Sequence, residues 1–333
     1  MPAKIFTDKE VTLAPLLDKT CAIIGYGAQG RAHALNLRDS GIPVVVALPP
    51  RRRSRLSARR DGLRVTTGAA AVRQADVIFL ALSDTRMAEI YRAEIEAQLR
   101  AGQTLLFAHG FAIHYRTIVP PNDIDVVMVA PKGLGPMVRS QFEAGKGVPC
   151  VIAVAQDASG HARQLAFAYA KAIGGTRAGV IETTFREETE ADMFAEQAVL
   201  CGGLSALVEA GFETLVEAGY QPEMAYFECL HELKFIVDLM HRAGISGMRA
   251  RISETAKWGD VSVGPKIIDG RVKEQMKEAL RRIQQGKFAR EWLRETASGR
   301  KRYDQLLRQG DNRPIEKVGT RLRQMMPWLH EKS

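Results

Sequence analysis

The sequence predicts an α/β domain with a doubly wound parallel sheet, followed by an all-helical domain. In the first part of the chain, short runs that are apolar throughout alternate with helical patterns, as expected for parallel strands buried on both faces. The runs are 20–24, 43–48, 77–82, 104–108, 125–129 and 148–154. After Glu182, long helical periodicities take over, with breaks at Gly202, Gly219 and Gly244. We therefore expect domains over 1–182 and 183–333.

The first apolar run is followed directly by a glycine turn and a helical pattern. The turn consists of Gly25, Tyr26, Gly27, Ala28, Gln29 and Gly30. This strand, G-x-G-x-x-G turn and helix are typical of a Rossmann-like dinucleotide-binding domain. We expect Gly25 to make the tight turn, Gly27 to admit the pyrophosphate and Gly30 to let helix and strand pack closely. The helix N-terminus offers free N–H groups to the phosphates. A glycine turn with a purely structural role is the alternative.

The second apolar run, 43–48, indicates which dinucleotide binds. A protein that binds NAD usually places Asp or Glu after this strand for the ribose diol, and here the first acid is Asp61. The residues that follow the strand are instead Arg51, Arg52, Arg53 and Ser54, which we call the arginine loop. Guanidinium groups bind phosphate bidentately, so the loop predicts recognition of the 2′-phosphate of NADP. A basic surface loop that binds nucleic acid or nothing is the alternative.

Two pairs of acidic residues lie in the predicted helical domain, Asp192 with Glu196 and Glu228 with Glu232. Like charges four residues apart destabilise a helix, so helix stability does not explain them. The second pair lies on an otherwise apolar stripe, where a carboxylate is tolerated if it is paired or binds a metal. Four carboxylates form a hard-oxygen site suited to Mg²⁺. The alternative is two solvated acidic faces.

Composition narrows the class of protein. A length of 333 residues and a hydrophobic fraction of 46% fit two globular domains. We recognise no apolar run near the ~20 residues of a membrane span and no signal peptide, so we expect a cytoplasmic protein without a membrane partner. The net charge of +9 favours anionic ligands, but no nucleic-acid motif accompanies it. The cysteines, which are spaced singly, are predicted to be reduced core residues: Cys21, Cys150, Cys201 and Cys229.

Five segments together resemble the ketol-acid reductoisomerases, specifically their short bacterial class. They are 23–37 (IIGYGAQGRAHALNL), 107–111 (FAHGF), 130–133 (APKG), 188–190 (ETE) with 192–203, and 226–234 (YFECLHELK). The resemblance extends over nearly the whole chain. It implies an enzyme of branched-chain amino-acid biosynthesis that depends on NADP(H) and Mg²⁺. Such an enzyme converts 2-acetolactate to 2,3-dihydroxyisovalerate for valine, and 2-aceto-2-hydroxybutyrate to the corresponding isoleucine precursor.

The resemblance also implies how the metal site is assembled. Asp192 would bridge two Mg²⁺ ions and Glu196 would bind one of them, while Glu228 and Glu232 would complete the other's shell from the partner subunit. Ser253 resembles a serine that binds the substrate carboxylate across the same interface. The helical domains would therefore interlock in a homodimer, or in a larger oligomer built from dimers, with shared active sites.

The remaining site residues follow from the same resemblance. His109 and Lys132 match residues that flank the hydride-transfer site, and they join Asp192 and Glu196 as predicted catalytic residues. Pro131 is predicted to lie beside the substrate, and Asp84 and Gly135 beside the cofactor.

Several positions depart from the family pattern, although all predicted metal ligands are present. The departures are Pro49, Pro50, Ser83, Ala112, Leu134, Pro136, Ala250 and Arg251. They leave open a specialised paralogue that acts on a related 2-hydroxy-2-keto acid. A metal-independent keto-acid or imine reductase is a second alternative, which the acidic pairs disfavour. A non-enzymatic NADP-sensing or nucleic-acid-binding protein is a third, which only the charge favours.

Overall fold

The computed structural model describes residues 2–330, without the side chain of His330. The chain forms two compact units, Met1–Ala191 and Asp192–Ser333. Each has its own hydrophobic core.

The first unit contains a nine-stranded sheet. Its strands are β1 (Ile5–Phe6), β2 (Cys21–Ile24), β3 (Val44–Ala47), β4 (Arg64–Thr66), β5 (Val77–Leu80), β6 (Thr104–Phe107), β7 (Asp125–Pro131), β8 (Cys150–Gln156) and β9 (Val180–Glu182). Their order across the sheet is β1-β9-β8-β7-β6-β5-β2-β3-β4. The stretch from β4 to β7 is parallel and has the strand order of a dinucleotide-binding domain, so the predicted doubly wound fold is confirmed. The strand order reverses between β2 and β5, where ligands bind in such sheets.

All six predicted strands form, but the predicted direction of β8 is wrong. It runs antiparallel to β7, with Pro131 opposite Cys150. An apolar run records burial on both faces and carries no information about direction, which explains the error. Because β8 begins at the edge where β7 ends, the segment between them stays at that edge. The short strands β1, β4 and β9 were not predicted.

Helices cover both faces of the sheet. They are α1 (Ala14–Leu17), α2 (Ala28–Asp39), α3 (Ser54–Arg60), α4 (Gly68–Gln74), α5 (Asp84–Ile90), α6 (Phe111–His114), α7 (Gly135–Glu143) and α8 (Ala162–Ala172). A π turn, Tyr91–Ile95, extends α5. One core cluster surrounds Leu37 and Phe79, and the other surrounds Tyr91 and Phe107. The strands between them are therefore buried on both sides.

The described part of the second unit is entirely helical, as predicted. Its helices, starting with the one that crosses the unit boundary, are α9 (Phe185–Ala195), α10 (Gly202–Glu217), α11 (Pro222–Tyr226), α12 (Leu233–Arg249), α13 (Glu254–Ile267), α14 (Gly270–Gln284), α15 (Lys287–Ala297), α16 (Lys301–Asp311) and α17 (Pro314–Gln324). Two π turns, Glu196–Leu200 and Phe227–His231, continue α9 and α11. The backbone has positive φ at Gly219 and Gly244, which breaks the helical pattern at both places.

The second unit leaves many large apolar side chains exposed in the single chain. Phe235 is 51% exposed and Trp258 is 71% exposed. Cys201 is exposed too, so the prediction of a core cysteine is wrong there, whereas Cys21 and Cys150 are buried. By length and composition alone, the helical run Phe185–Glu217 could cross a membrane. The unit therefore presents an apolar surface that a single chain does not cover.

Candidate active site

The glycine turn after β2 is shaped by close backbone packing. Gly25 has a φ of +108°, and a Cβ there would overlap the carbonyl oxygen of Ala81. A Cβ on Gly30 would lie 2.8 Å from the Gly25 oxygen and 3.0 Å from the Ala81 Cβ. At Gly27, by contrast, a Cβ would meet nothing within 4 Å. The turn therefore packs tightly against the sheet and is open at Gly27, beside the N-terminus of α2. A pyrophosphate needs such an open backbone next to a helix N-terminus.

A cleft of about 1000 Å³ opens beside this turn. It is lined by the ends of β2 and β3, the arginine loop, Gly68 and the segment that follows β5. The predicted cofactor residues that line it are Gly25, Tyr26, Gly27, Arg51, Arg52, Arg53 and Ser54. The predicted cofactor residues outside its lining are Ala28, Gln29, Gly30, Asp84 and Gly135. The lining residues that were not predicted include three on α5 and the π turn after it: Arg86, Ile90 and Glu94.

Asp61, the first acid after β3, is engaged by neighbouring side chains. Its Oδ2 accepts hydrogen bonds from Arg31 Nε and from the Tyr26 hydroxyl, both at 2.7 Å. The hydrogen bond from Arg31, more than any other interaction, holds the pKa of the Asp61 carboxyl below its usual value. This acid is therefore ionised and already paired, whereas the exposed arginines of the arginine loop line the cleft.

Gln29 and Gly135 join the helix of the glycine turn to α7. Gln29 Nε2 donates to the Gly133 carbonyl at 2.8 Å. A Cβ on Gly135 would overlap the backbone of Ala28, so only glycine allows α7 to begin there. Both residues thus position the loop that carries Lys132.

The buried carboxylate of Glu188 lies beside Lys132 and His109, the two predicted catalytic residues of the first unit. Glu188, on α9, has a side chain only 1% exposed. Its Oε1 accepts from Lys132 Nζ at 2.8 Å, and its Oε2 accepts from the Gly110 N–H at 3.1 Å. His109 Nε2 lies 3.9 Å from the same Oε2. Glu188 therefore holds two loops that end neighbouring strands, β6 and β7.

Sequence reasoning missed this role of Glu188, which appeared only within the family resemblance. A signal was present, since Glu188 lies one helical turn before Asp192 on the same stripe. Its neighbour Glu190 is also buried and lies 3.5 Å from His114 Nε2 at the end of α6. Glu188 and Glu190, two residues apart on α9, thus fix the two ends of the segment from His109 to His114.

The predicted metal ligands lie at the two π turns of the helical unit. Asp192 lies in the last turn of α9, and Glu196 begins the first π turn. Glu228 lies in the second π turn, and Glu232 follows it directly. The donors are all carboxylates, the hard-oxygen chemistry that Mg²⁺ requires, so the residues fit this ion. Within residues 2–330 of one chain, no three of these four carboxylates share a cluster of oxygens within 4.8 Å of one another.

The two predicted substrate residues lie in different units. Ser253 is exposed at the N-terminus of α13, and its Oγ accepts from the Ala256 N–H at 3.2 Å. Pro131 is the buried last residue of β7. Arg251, one of the departures from the family pattern, donates to the Gly247 carbonyl at 2.7 Å. Its guanidinium therefore turns back along the end of α12, the helix that precedes it.

Comparisons with known proteins match both parts of the chain in order. Residues 15–179 match the acetohydroxy acid isomeroreductase NADPH-binding domain, and residues 185–328 match the ketol-acid reductoisomerase C-terminal domain. A curated relative from Saccharopolyspora erythraea, ketol-acid reductoisomerase (NADP(+)), is 55% identical over 328 residues, which are 98% of this chain and 99% of the relative.

Solved structures agree with this match. An NADH-preferring ketol-acid reductoisomerase from an uncultured archean is 46% identical, with a TM-score of 0.94 over 96% of this chain and 98% of that one. A putative oxidoreductase from Jannaschia, 19% identical with a TM-score of 0.62 over 80% of this chain and 97% of that one, shares the fold alone. The two domain matches together cover most of the chain, and the curated relative aligns with almost all of it. The chain therefore belongs to the ketol-acid reductoisomerase family.

Proposed function

We propose that this chain catalyses alkyl migration in 2-acetolactate or 2-aceto-2-hydroxybutyrate, followed by reduction to the 2,3-dihydroxy acid, in valine and isoleucine biosynthesis. One observation carries the proposal. Helix α9 and the π turn that continues it bear Glu188, Asp192 and Glu196 at four-residue intervals, and Glu188 holds Lys132 at 2.8 Å. The carboxylate that holds the Lys132 ammonium group and two of the proposed metal-binding carboxylates thus lie on one continuous helical segment.

The first unit binds and orients the cofactor. The open backbone at Gly27 and the N-terminus of α2 bind the pyrophosphate, and the arginine loop binds the 2′-phosphate. When bound, NADPH would supply the hydride, and Mg²⁺ held by Asp192, Glu196, Glu228 and Glu232 would supply Lewis-acid polarisation of the substrate oxygens.

Lys132 and His109 act on the oxygens whose charge changes during the reaction. The Lys132 ammonium donates a hydrogen bond towards the reacting oxygen and stabilises negative charge that develops there. His109 offers an imidazole for proton transfer beside it. Glu188 positions both residues through the contacts given above. Ser253 and the N-terminus of α13 bind the substrate carboxylate.

The active site is completed in a homodimer, or in a larger assembly of dimers. In the described residues of one chain, no three of the four carboxylates come together, and the apolar side chains that the second unit exposes need a cover. A second copy of the chain meets both requirements. It brings its own carboxylate pairs, and a symmetric interface buries the same apolar face on each subunit. Lipid is a poor cover for the run Phe185–Glu217, since charged carboxylates such as Asp192 are costly inside a bilayer. We therefore place the enzyme in the cytoplasm.

The proposal is tested by NADPH oxidation with racemic 2-acetolactate, in the presence of Mg²⁺ or EDTA. We expect turnover only with Mg²⁺, and 2,3-dihydroxyisovalerate as the product by mass spectrometry. Asp192→Asn should abolish turnover without changing the fluorescence-measured affinity for NADPH, because the glycine turn and Asp192 belong to different units. Asp304→Asn, on exposed α16, is the matched control and should remain active. Turnover that persists in EDTA would instead identify a metal-independent reductase.

A further inference from the structure

One wall of the cofactor cleft is formed by a stripe of three residues that the sequence did not assign. Arg86, Ile90 and Glu94 follow one another at four-residue intervals along α5 and its π turn, and all three line the cleft. The arginine loop lines the cleft as well. Ile90 therefore adds an aliphatic side chain to the cleft, and Glu94 adds a carboxylate. A site that binds only phosphate needs neither group.

The Glu94 carboxylate lies against the start of α4. A Cβ on Gly68 would overlap Glu94 Oε2 and would lie 3.2 Å from the Glu94 Cβ, so the glycine makes room for this side chain. Glu94 forms no hydrogen bond or ion pair with any residue in the described range 2–330, and its side chain is exposed to the cleft. It is thus an acceptor available to a ligand.

The position of the carboxylate within the cleft indicates which part of the ligand it meets. A dinucleotide with its pyrophosphate at Gly27 and its 2′-phosphate at the arginine loop would place its adenine ring in the same cleft, of which the α5 residues form one wall. Ile90 offers an apolar surface to the ring, and Glu94 lies one turn further along the wall. The 6-amino group is the only hydrogen-bond donor on the edge of this ring.

We propose that Glu94 accepts a hydrogen bond from the 6-amino group of the adenine ring and so selects adenine over other purines in the cofactor. This inference rests on the proposed use of NADPH and adds the recognition of the base to it. A carboxylate is matched to an amino donor and is repelled by a carbonyl oxygen at the same position.

The test compares NADPH with its hypoxanthine analogue, in which a carbonyl replaces the 6-amino group. Affinities are measured by nicotinamide fluorescence, without substrate or Mg²⁺. We expect the wild type to bind NADPH about tenfold more tightly than the analogue, equivalent to about 1.4 kcal/mol. Glu94→Gln should bring the two affinities close together, because an amide both donates and accepts. Glu89→Gln, on the same helix but outside the cleft, should keep the wild-type ratio.

The outcomes separate this inference from the proposed function. Equal wild-type affinities for the two dinucleotides would overturn the role of Glu94. Glu94→Gln with an unchanged ratio would overturn it as well, even if both affinities fell, because the residue would then shape the cleft without reading the base. Failure of the wild type to bind NADPH at all would contradict the proposed function itself.

Discussion

Glu188→Gln is expected to destabilise the first unit and to remove most of the activity. The wild-type carboxylate accepts hydrogen bonds from Lys132 Nζ and the Gly110 N–H with a side chain only 1% exposed. A glutamine of the same shape keeps one acceptor oxygen but turns an NH₂ group towards one of these donors. The ammonium of Lys132 also loses its counter-charge.

The magnitude follows from the burial of the two partners. Breaking a buried ion pair by removing one charge costs about 3–5 kcal/mol. The Lys132 side chain is 37% exposed, and its partial solvation reduces the expected loss to about 2 kcal/mol. For a unit of this size, that loss lowers Tm by roughly 4–8 °C. Turnover should fall about 100-fold or more, because Lys132 is no longer held towards the reacting oxygen.

Differential scanning fluorimetry and NADPH oxidation with 2-acetolactate measure the two effects. Glu187→Gln is the matched control, since Glu187 is exposed and its carboxylate accepts from the Thr183 hydroxyl, at 2.7 Å, rather than from the site. The control should retain its Tm and its turnover. A Glu188→Gln enzyme with wild-type Tm and wild-type turnover would show that Glu188 does not organise the site.

Three further predictions concern the cofactor, the dimer and pH. Aspartates at positions 52–54 of the arginine loop should weaken NADPH binding far more than NADH binding, and equal losses would show that the loop does not read the 2′-phosphate. Glu196→Gln and Glu228→Gln should each be inactive alone but regain activity when co-refolded, because a mixed dimer contains one intact site; heterodimers without activity would refute shared sites. Burial lowers the pKa of His33 to about 3, so only the unfolded chain gains its proton below about pH 6.5, and stability should fall by roughly 2 kcal/mol between pH 7 and 5. Urea unfolding of His33→Gln should lack this loss, and an identical pH dependence in both proteins would contradict the assignment.

The parts of the site that sequence alone could predict are those fixed by neighbours along the chain. The strand, glycine turn and helix around Gly25 are set by local backbone requirements, and the arginine loop follows the next strand within a few residues. The missing acid after β3 was equally visible, and the structure adds that Asp61 is occupied by Arg31. Such features require no knowledge of which strands are adjacent.

The parts that escaped prediction depend on contacts between distant segments. Glu188 reaches Lys132 across 56 residues of chain, and no local pattern records that pairing. The stripe of Arg86, Ile90 and Glu94 reads as an ordinary helix face until the sheet order places it beside the cleft. The direction of β8 is hidden for the same reason, since burial on both faces gives either direction the same apolar run.

Two π turns coincide with the two acidic pairs that the sequence contains. In each of these turns, a backbone N–H group donates to the carbonyl five residues earlier. The Cys201 N–H donates to Glu196 at 3.1 Å, and the Glu232 N–H donates to Phe227 at 2.9 Å. Such turns are rare within helices and are frequent at functional sites. A like-charged pair adjoins each of the two, so repulsion and irregular hydrogen bonding fall at the same places. Neither benefits the helix, whereas a divalent cation bound there, as we propose, would offset the repulsion. The third π turn in the described chain carries Glu94, the residue that we assign to the adenine ring.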